Sequence, residues 1–335
     1  MVLEKGDKRD FRAKLNFDAV RRFVGQLGYY AEGYKSDLVP QDMQARALRD
    51  VLAKYNADGP SPEIETRVNY YNKLSGKVPL TNDIALSQLP RNRSRYFYDL
   101  MSVAKPFGLN RRLAFLYGDI KHIPDTPTIV KSRPIASYNA NSVLLNLNKF
   151  RHFRQSYDSI PFAEKSPTVV WRGRLCNKMR VTLAQRFENH PSFDIGYAKK
   201  GTRIALDKGG VAPKPFLSIP EHCRHRYILS VEGNDVATSL KWILSSNSLC
   251  LSPALKYETW FMEGTLKPGV HFVELRPDFE DLEDKVAYYE QHPDEALAII
   301  KNAKAHWQQF LDKDREKLIS YLVMQKYFEN TQPSS

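Results

Sequence analysis

At 335 residues, with 42% hydrophobic and 26% charged side chains, the chain is long enough for about two domains with buried cores, and its composition excludes disorder, collagen and a coiled coil. Its longest apolar runs, Leu113 to Tyr117 and Ala296 to Ile300, fall far short of the roughly 18 to 20 residues a membrane-spanning helix needs. Fifty Lys and Arg against 38 Asp and Glu give a net charge of +12, concentrated in residues 126–235, where 18 basic residues face 8 acidic ones; such a field attracts phosphates, nucleic acid or an anionic membrane surface.

The opening MVLEKGDKRD mixes both signs of charge and lacks the basic end and apolar stretch of a secretory leader, so a cytoplasmic protein is expected. Up to about residue 110, apolar side chains recur with helical spacing: Phe17, Val20, Phe23, Val24 and Leu27; Met43, Leu48, Val51 and Leu52; Tyr96, Tyr98, Leu100, Met101 and Val103. Asp58-Gly59-Pro60 and Leu89-Pro90 punctuate them, because proline lacks a donor and disfavours helix in the residue before it. From about 113 the pattern becomes short apolar runs, predicting strands at 113–117, 128–130, 142–150, 168–171, 193–197, 227–231, 248–251 and 271–275. Helical stretches at 177–189 and 236–246 turn two pairs of these into β-α-β units, which implies an α/β fold with a parallel sheet and helices on both faces. Residues 281–330 read as two or three amphipathic helices, one of them starting at His292-Pro293. Cys176, Cys223 and Cys250, odd in number and widely spaced, read as reduced thiols.

The phosphate-binding G-x-G-x-x-G and G-x-x-x-x-G-K-[ST] loops and the G-x-S-x-G elbow are all absent, which counts against dinucleotide oxidoreductases, P-loop NTPases and α/β-hydrolases. His222-Cys223-Arg224-His225 has no second ligand pair at zinc spacing, and neighbours on one short segment cannot close a tetrahedron. Asp312-Lys313-Asp314 lies in a charged helical stretch rather than after a strand, so it reads as a solvated face instead of a metal-binding pair. No metal site is expected.

Basic residues at strand ends remain. Arg172 and Gly173 follow the strand 168–171 and precede a helix, where a glycine permits a tight turn and helix N–H groups join the guanidinium in facing an anion. Arg174 and Arg180 lie beside them, while Lys131, Ser132 and Arg133 follow the strand 128–130; two such loops facing each other would bind a diphosphate. Capping of helices or surface ion pairs would use the same arginines without any ligand. Asp119, after Gly118 at the end of 113–117, sits where strand ends line an α/β cleft and a carboxylate can accept a hydroxyl proton, although aspartates there also cap turns.

The ordered series Pro127 to Pro134, Asn141 to Lys149 with Arg151-His152-Phe153, Trp171-Arg172-Gly173, Glu232 to Ala237 with Leu240-Lys241-Trp242 and Ser246-Asn247-Ser248, and Leu266-Lys267-Pro268 with His271-Phe272 resembles glycosyltransferase family 90. This family spans bacterial lipopolysaccharide core glycosyltransferases, eukaryotic protein O-glucosyltransferases and fungal capsule xylosyltransferases; the resemblance runs from about 113 to 310. It implies a GT-B architecture of two Rossmann-like domains facing across a cleft. On this reading residues 1–155 form a helix-rich acceptor-side domain and 156–310 the nucleotide-sugar domain, with 311–335 a helix packing back on the first.

The resemblance further implies an inverting, metal-independent transfer of a hexose, glucose or galactose, from a UDP-sugar. Asp119 falls at the family's catalytic aspartate and would be the general base, while Arg172 and Arg180 would neutralise the departing diphosphate. Gly233, Asn234 and Asp235 would approach the sugar or diphosphate, and Glu258 would hold ribose hydroxyls. One departure stands out: where the eukaryotic branch has an arginine after the glycine loop, this chain has Ser239, and Lys241 would supply charge without a bidentate fork. That departure, with the SRP and NSVLLNLNK segments, places the chain nearer the bacterial branch. The acceptor would then be the lipopolysaccharide core, and the enzyme would be held by its positive field at the anionic cytoplasmic face of the inner membrane. Two other classes fit parts of the sequence: a sugar-nucleotide-binding protein without catalysis, and a nucleic-acid binder resting on the basic middle, although no nucleic-acid motif is present.

Overall fold

The computed structural model describes residues 24–31, 33, 38–92, 94–198 and 210–332. The helical pattern read at Phe17, Val20 and Phe23 and the opening ten residues lie outside them. Residues 24–31, which include Val24 and Leu27, are helical, and after them come α1 (Gln41–Asp58) and α2 (Pro62–Tyr71), separated where Gly59 adopts a left-handed φ of 84° ahead of Pro60. Helix α2 was not anticipated, although Pro62 at its first position with Glu63 and Glu65 in its first turn is a clear start signal. Strand β1 (Val78–Pro79), strand β2 (Ile84–Ala85) and helix α3 (Ser94–Ala104) complete the helix-rich stretch.

Strands β3 (Arg112–Leu116), β4 (Thr128–Val130), β5 (Ser132–Pro134) and β6 (Ser142–Leu144) follow. A four-stranded sheet runs β2-β3-β4-β6, antiparallel at β2–β3 and parallel elsewhere. The strand predicted over 142–150 stops at Leu144: Asn148 turns left-handed at φ 57° and opens a single helical turn, α4 (Lys149–His152).

The second sheet contains β7 (Ser166–Gly173), β8 (Phe193–Ala198) after helix α5 (Lys178–Phe187), β9 (Pro213–Lys214), and, after the turn α6 (Ile219–His222), β10 (His225–Leu229). Helix α7 (Leu240–Leu244) leads to β11 (Leu249–Pro253); β12 (Tyr257–Thr259) leaves to pair antiparallel with β5, and β13 (Val273–Leu275) closes the edge. The order is β13-β11-β10-β7-β8-β9 with every pairing parallel. Numbered within the sheet this is 3-2-1-4-5-6, the doubly wound order of nucleotide-binding folds, and it reverses direction between β7 and β10. Both predicted β-α-β units are present, although α7 is half the length expected because residues 236–239 form a turn.

Side-chain alternation along these strands divides the interior. Val170 and Ile228 enter a core shared with the first sheet, α3 and α7, whereas Val169, Trp171, Tyr227 and Leu229 enter a core under α5 and the later helices. Leu183 and Phe187 of α5 are fully buried there, each contributing about 1.5–3 kcal/mol. Helices α8 (Leu282–Gln291) and α9 (Pro293–Gln308) cover the second sheet, and α10 (Lys313–Glu329) returns to the first half. There Arg67 of α2 pairs with Glu316, the Tyr327 hydroxyl donates to the Pro127 carbonyl, and β14 (Thr331–Gln332) pairs with β1. The Asp312-x-Asp314 motif starts α10: the Asp312 carboxylate accepts the Asp314 and Arg315 N–H groups, an N-cap.

Candidate functional site

The reversal of strand order between β7 and β10 predicts a crevice at their carboxyl ends. Asp119 reaches this region from the other sheet. Gly118, at φ 114°, turns the chain sharply after β3, so that Asp119 leaves the strand end with its carboxylate about one-third exposed. Lys131 Nζ lies 2.9 Å from Asp119 Oδ1 and 2.7 Å from Asp235 Oδ2, and Asn234 Nδ2 donates to Asp119 Oδ2 at 3.4 Å. The Ser132 hydroxyl donates to Asp235 at 2.6 Å. Thus a carboxylate after β3, a buried lysine after β4 and the loop after β10 form one cluster that joins the two sheets.

Charge decides the protonation states. Burial works against ionisation of Asp119, but Lys131, Asn234 and Arg151 outweigh it and hold the carboxyl below its ordinary value. Burial likewise opposes the charge on Lys131, yet Asp235, Tyr96 and Asp119 push its pKa up. An ionised, partly exposed carboxylate is the state a hydroxyl proton acceptor needs.

The loops after β7 and β10 are locked together. Asn177 caps α5 by accepting the Arg180 N–H, and its amide donates to the carbonyls of Glu232 and Gly233. Arg180 donates to the carbonyls of Arg174, Val231 and Glu232 and lies over the Trp171 ring. Gly173 is not in a left-handed conformation; it is glycine because a Cβ there would sit 2.4 Å from the Trp171 ring. At Gly233 a Cβ would meet the Arg180 guanidinium at 3.2 Å. Both glycines let side chains of the crevice pack against bare backbone.

Four expected ligand contacts take a different form. Arg172 uses all five N–H donors internally, two on the Asp194 carboxylate at 2.7 and 2.8 Å and three on the carbonyls of Pro215, Trp171 and Asp194, so it does not present a free fork to a diphosphate. Arg133 lies directly opposite Glu258 in the β5–β12 register and pairs with it at 2.7 Å, while also donating to the carbonyls of Tyr70, Tyr71 and Ser142. Glu258 accepts the Tyr70 hydroxyl as well and is 2% exposed, which leaves no face for a ribose. Lys241 is buried in α7, whose whole surface is interior, and is paired with Glu263 at 2.7 Å. The Lys131-Ser132 loop therefore faces the Asn234-Asp235 loop rather than the Arg172-Gly173 loop.

Two further residues were given no role by the sequence. Glu232, in the loop after β10, is pushed up to about 7: burial dominates and Glu263 adds to it, while the Lys256 and Tyr257 N–H groups and the Lys256 charge oppose it. His152 is buried with neither ring nitrogen partnered among the described residues, and burial together with Lys241, Lys131 and Arg151 holds it neutral. Both stand in the segments that carry the family resemblance, but neither has a role legible there, because each owes its state to groups brought together by the fold.

Two cavities share lining residues with each other, and neither is lined by Asp119, Lys131, Asn234 or Asp235. One of about 220 Å³ is lined by Arg172, Ser239, Thr238, Phe216 and Trp242 among others, and a larger one of about 530 Å³ shares Arg154, Ile219 and Thr238 with it. Ser239 thus lines the smaller cavity. His222 and His225 contact the Ser218 carbonyl and the Thr168 hydroxyl. Among the described residues no group of three or more His, Cys, Asp or Glu side chains is arranged for a metal ion.

Comparison with known proteins adds independent findings. The profile of Glycosyl transferase family 90 matches residues 143–331, which include the loops after β7 and β10 and begin after Asp119 and Lys131. The chain is 44% identical over 272 residues to the O-glucosyltransferase LpsA of Dichelobacter nodosus, covering 81% of this chain and 84% of that one. It is 26% identical over 182 residues to the O-glucosyltransferase rumi homolog of Anopheles gambiae, spanning 49% of this chain and 45% of that protein. To human protein O-glucosyltransferase 3 it is 24% identical over 173 residues, spanning 49% of this chain and 32% of that protein.

Proposed function

The chain belongs to glycosyltransferase family 90 and is a transferase, and from that premise we propose that it moves glucose from UDP-glucose to a hydroxyl of the lipopolysaccharide core, in a GT-B arrangement with Asp119 as general base. The observation that carries the proposal is the meeting of Asp119 with Lys131, Asn234 and Asp235 across the two sheets, beside the crevice where a doubly wound sheet takes a nucleotide. The names of the relatives, all O-glucosyltransferases, favour glucose over galactose.

In this mechanism the Asp119 carboxylate accepts the proton as the acceptor oxygen attacks the anomeric carbon. The bond to the diphosphate breaks on the opposite face, so a single displacement inverts the centre. Lys131 keeps Asp119 ionised before the reaction. Arg174, whose side chain is exposed at the crevice, and Arg180 with the N–H groups at the start of α5 would balance the charge gathering on UDP without a divalent cation. Arg172 acts behind them by fixing the loop to Asp194. The lipopolysaccharide acceptor rests on the resemblance to the bacterial branch, and the net charge of +12 favours residence on an anionic membrane face. Among the described residues no helix is long and apolar enough to cross a membrane.

Calorimetric titration with UDP, UDP-glucose, UDP-galactose and GDP-mannose, with and without EDTA, tests this reading. It requires UDP binding that survives EDTA and a preference for UDP-glucose; absence of binding to every nucleotide would contradict it.

A further inference from the structure

The 530 Å³ cavity lies within the usual range of small-ligand sites, about 300–1,000 Å³, and apart from Ile219 and Thr238 its lining comes from Arg95 and the segment 150–157. Three of the lining side chains are arginines: Arg95, Arg151 and Arg154. Among the described residues no carboxylate forms an ion pair with Arg95 or Arg151, although acids neutralise Arg67, Arg133, Arg172 and Arg226 elsewhere. Arg95 instead lies over the Phe150 ring, with its guanidinium 5.5 Å from the ring centroid. Tyr157 lines the cavity in a left-handed conformation, φ 50°, and the residue is 59% exposed. A bulky residue in that conformation is uncommon and clusters at ligand sites. Arg151 also acts on Asp119, depressing its carboxyl, so the cavity and the reacting hydroxyl belong to one electrostatic neighbourhood.

We propose that this cavity is an acceptor subsite for an anionic sugar, in which Arg95, Arg151 and Arg154 bind a phosphate or carboxylate while the Tyr157 ring covers a sugar face. Planar guanidinium forks match both anions bidentately, and aromatic rings offer an apolar face to pyranose C–H groups. The proposal rests on the glycosyltransferase reading for the identity of the occupant as an acceptor. The donor diphosphate is the competing anion, but the doubly wound sheet directs it to the ends of β7 and β10, whereas this cavity is built mainly from the chain that connects the two sheets.

The test uses the full chain and a de-lipidated core oligosaccharide carrying both phosphate and uronic-type carboxylate, in three forms: intact, dephosphorylated and carboxyl-reduced. Affinity is measured by calorimetry for the wild type, Arg95→Gln and Arg151→Gln, with UDP titrated in parallel. The proposal requires that one treatment weaken binding at least tenfold, that each variant do the same to the intact oligosaccharide, and that UDP affinity stay within twofold; the treatment that acts identifies the anion. Equal binding of all three forms, no binding of the intact form, or variants that bind it like wild type would overturn the proposal. Loss of UDP binding in the variants would also overturn it, by assigning the cavity to the donor. Arginine-dependent oligosaccharide binding in a protein that binds no UDP would keep the anionic subsite and remove the transferase mechanism instead.

Discussion

The Lys131 ammonium lies 2.9 Å from the Asp119 carboxylate, and the same nitrogen is 2.7 Å from Asp235, so a single buried cation sets the charge of the proposed base and ties it to the opposite loop. Lys131→Met should raise the Asp119 pKa, because the partner that outweighs its burial is gone. The base must be ionised, so the acid limb of kcat/KM against pH moves to higher pH in the variant. An unchanged limb would separate Lys131 from the base. Removing one partner of this buried cluster should also cost about 3–5 kcal/mol of stability, measured by denaturant unfolding.

Gly173 tests the crevice. A Cβ 2.4 Å from the Trp171 ring has to displace an indole that is buried on one side and lies under Arg180 on the other. Gly173→Ala should therefore lower stability by about 1–3 kcal/mol and weaken UDP binding together, as judged by melting and titration of the folded protein. Wild-type affinity in the variant would locate the nucleotide away from this loop.

Arg133 and Glu258 are expected to separate stability from binding. Each is the other's cross-strand partner and both are buried, so Glu258→Gln should depress the melting temperature clearly while the folded protein keeps its UDP affinity. A selective loss of UDP binding at unchanged stability would return Glu258 to the ribose.

Glu232 gives a pH signature. Its pKa is raised from 4.5 to about 7, so between those values the folded state holds a proton that the unfolded chain has lost, and this group's contribution to stability falls as pH rises through that window. Gln mimics the protonated form. Relative to wild type, Glu232→Gln should be more stable at about pH 8 than at about pH 5.5. Equal differences in melting temperature at the two values would show that Glu232 titrates normally.

The parallel sheet was legible because every strand of it except β9 falls in a short apolar run bounded by turn residues, with helical spacing between, as in Thr168 to Trp171 and Asn177 onward. Asp119, Lys131 and Asn234 were legible as strand-end residues, and the structure brings them together. The internal partners of Arg133, Glu258 and Lys241 were not legible for one physical reason: a charged side chain beside a motif looks like a ligand contact until the register or the burial of its helix supplies an internal partner. The β5–β12 pairing joins segments more than 120 residues apart, and no local pattern encodes it. Strand β9 and the β1–β14 pair, each two residues long, were likewise too short to leave a periodic signal.

The most direct measurement is glucose transfer from UDP-glucose to a lipopolysaccharide core acceptor by Asp119→Asn and wild type, with UDP affinity determined on the same preparations. The account predicts that transfer falls by at least 10²-fold, the scale of a lost general base, while UDP affinity stays near that of wild type. Turnover by Asp119→Asn equal to that of wild type, with UDP still bound, would contradict the assignment of Asp119 as the base.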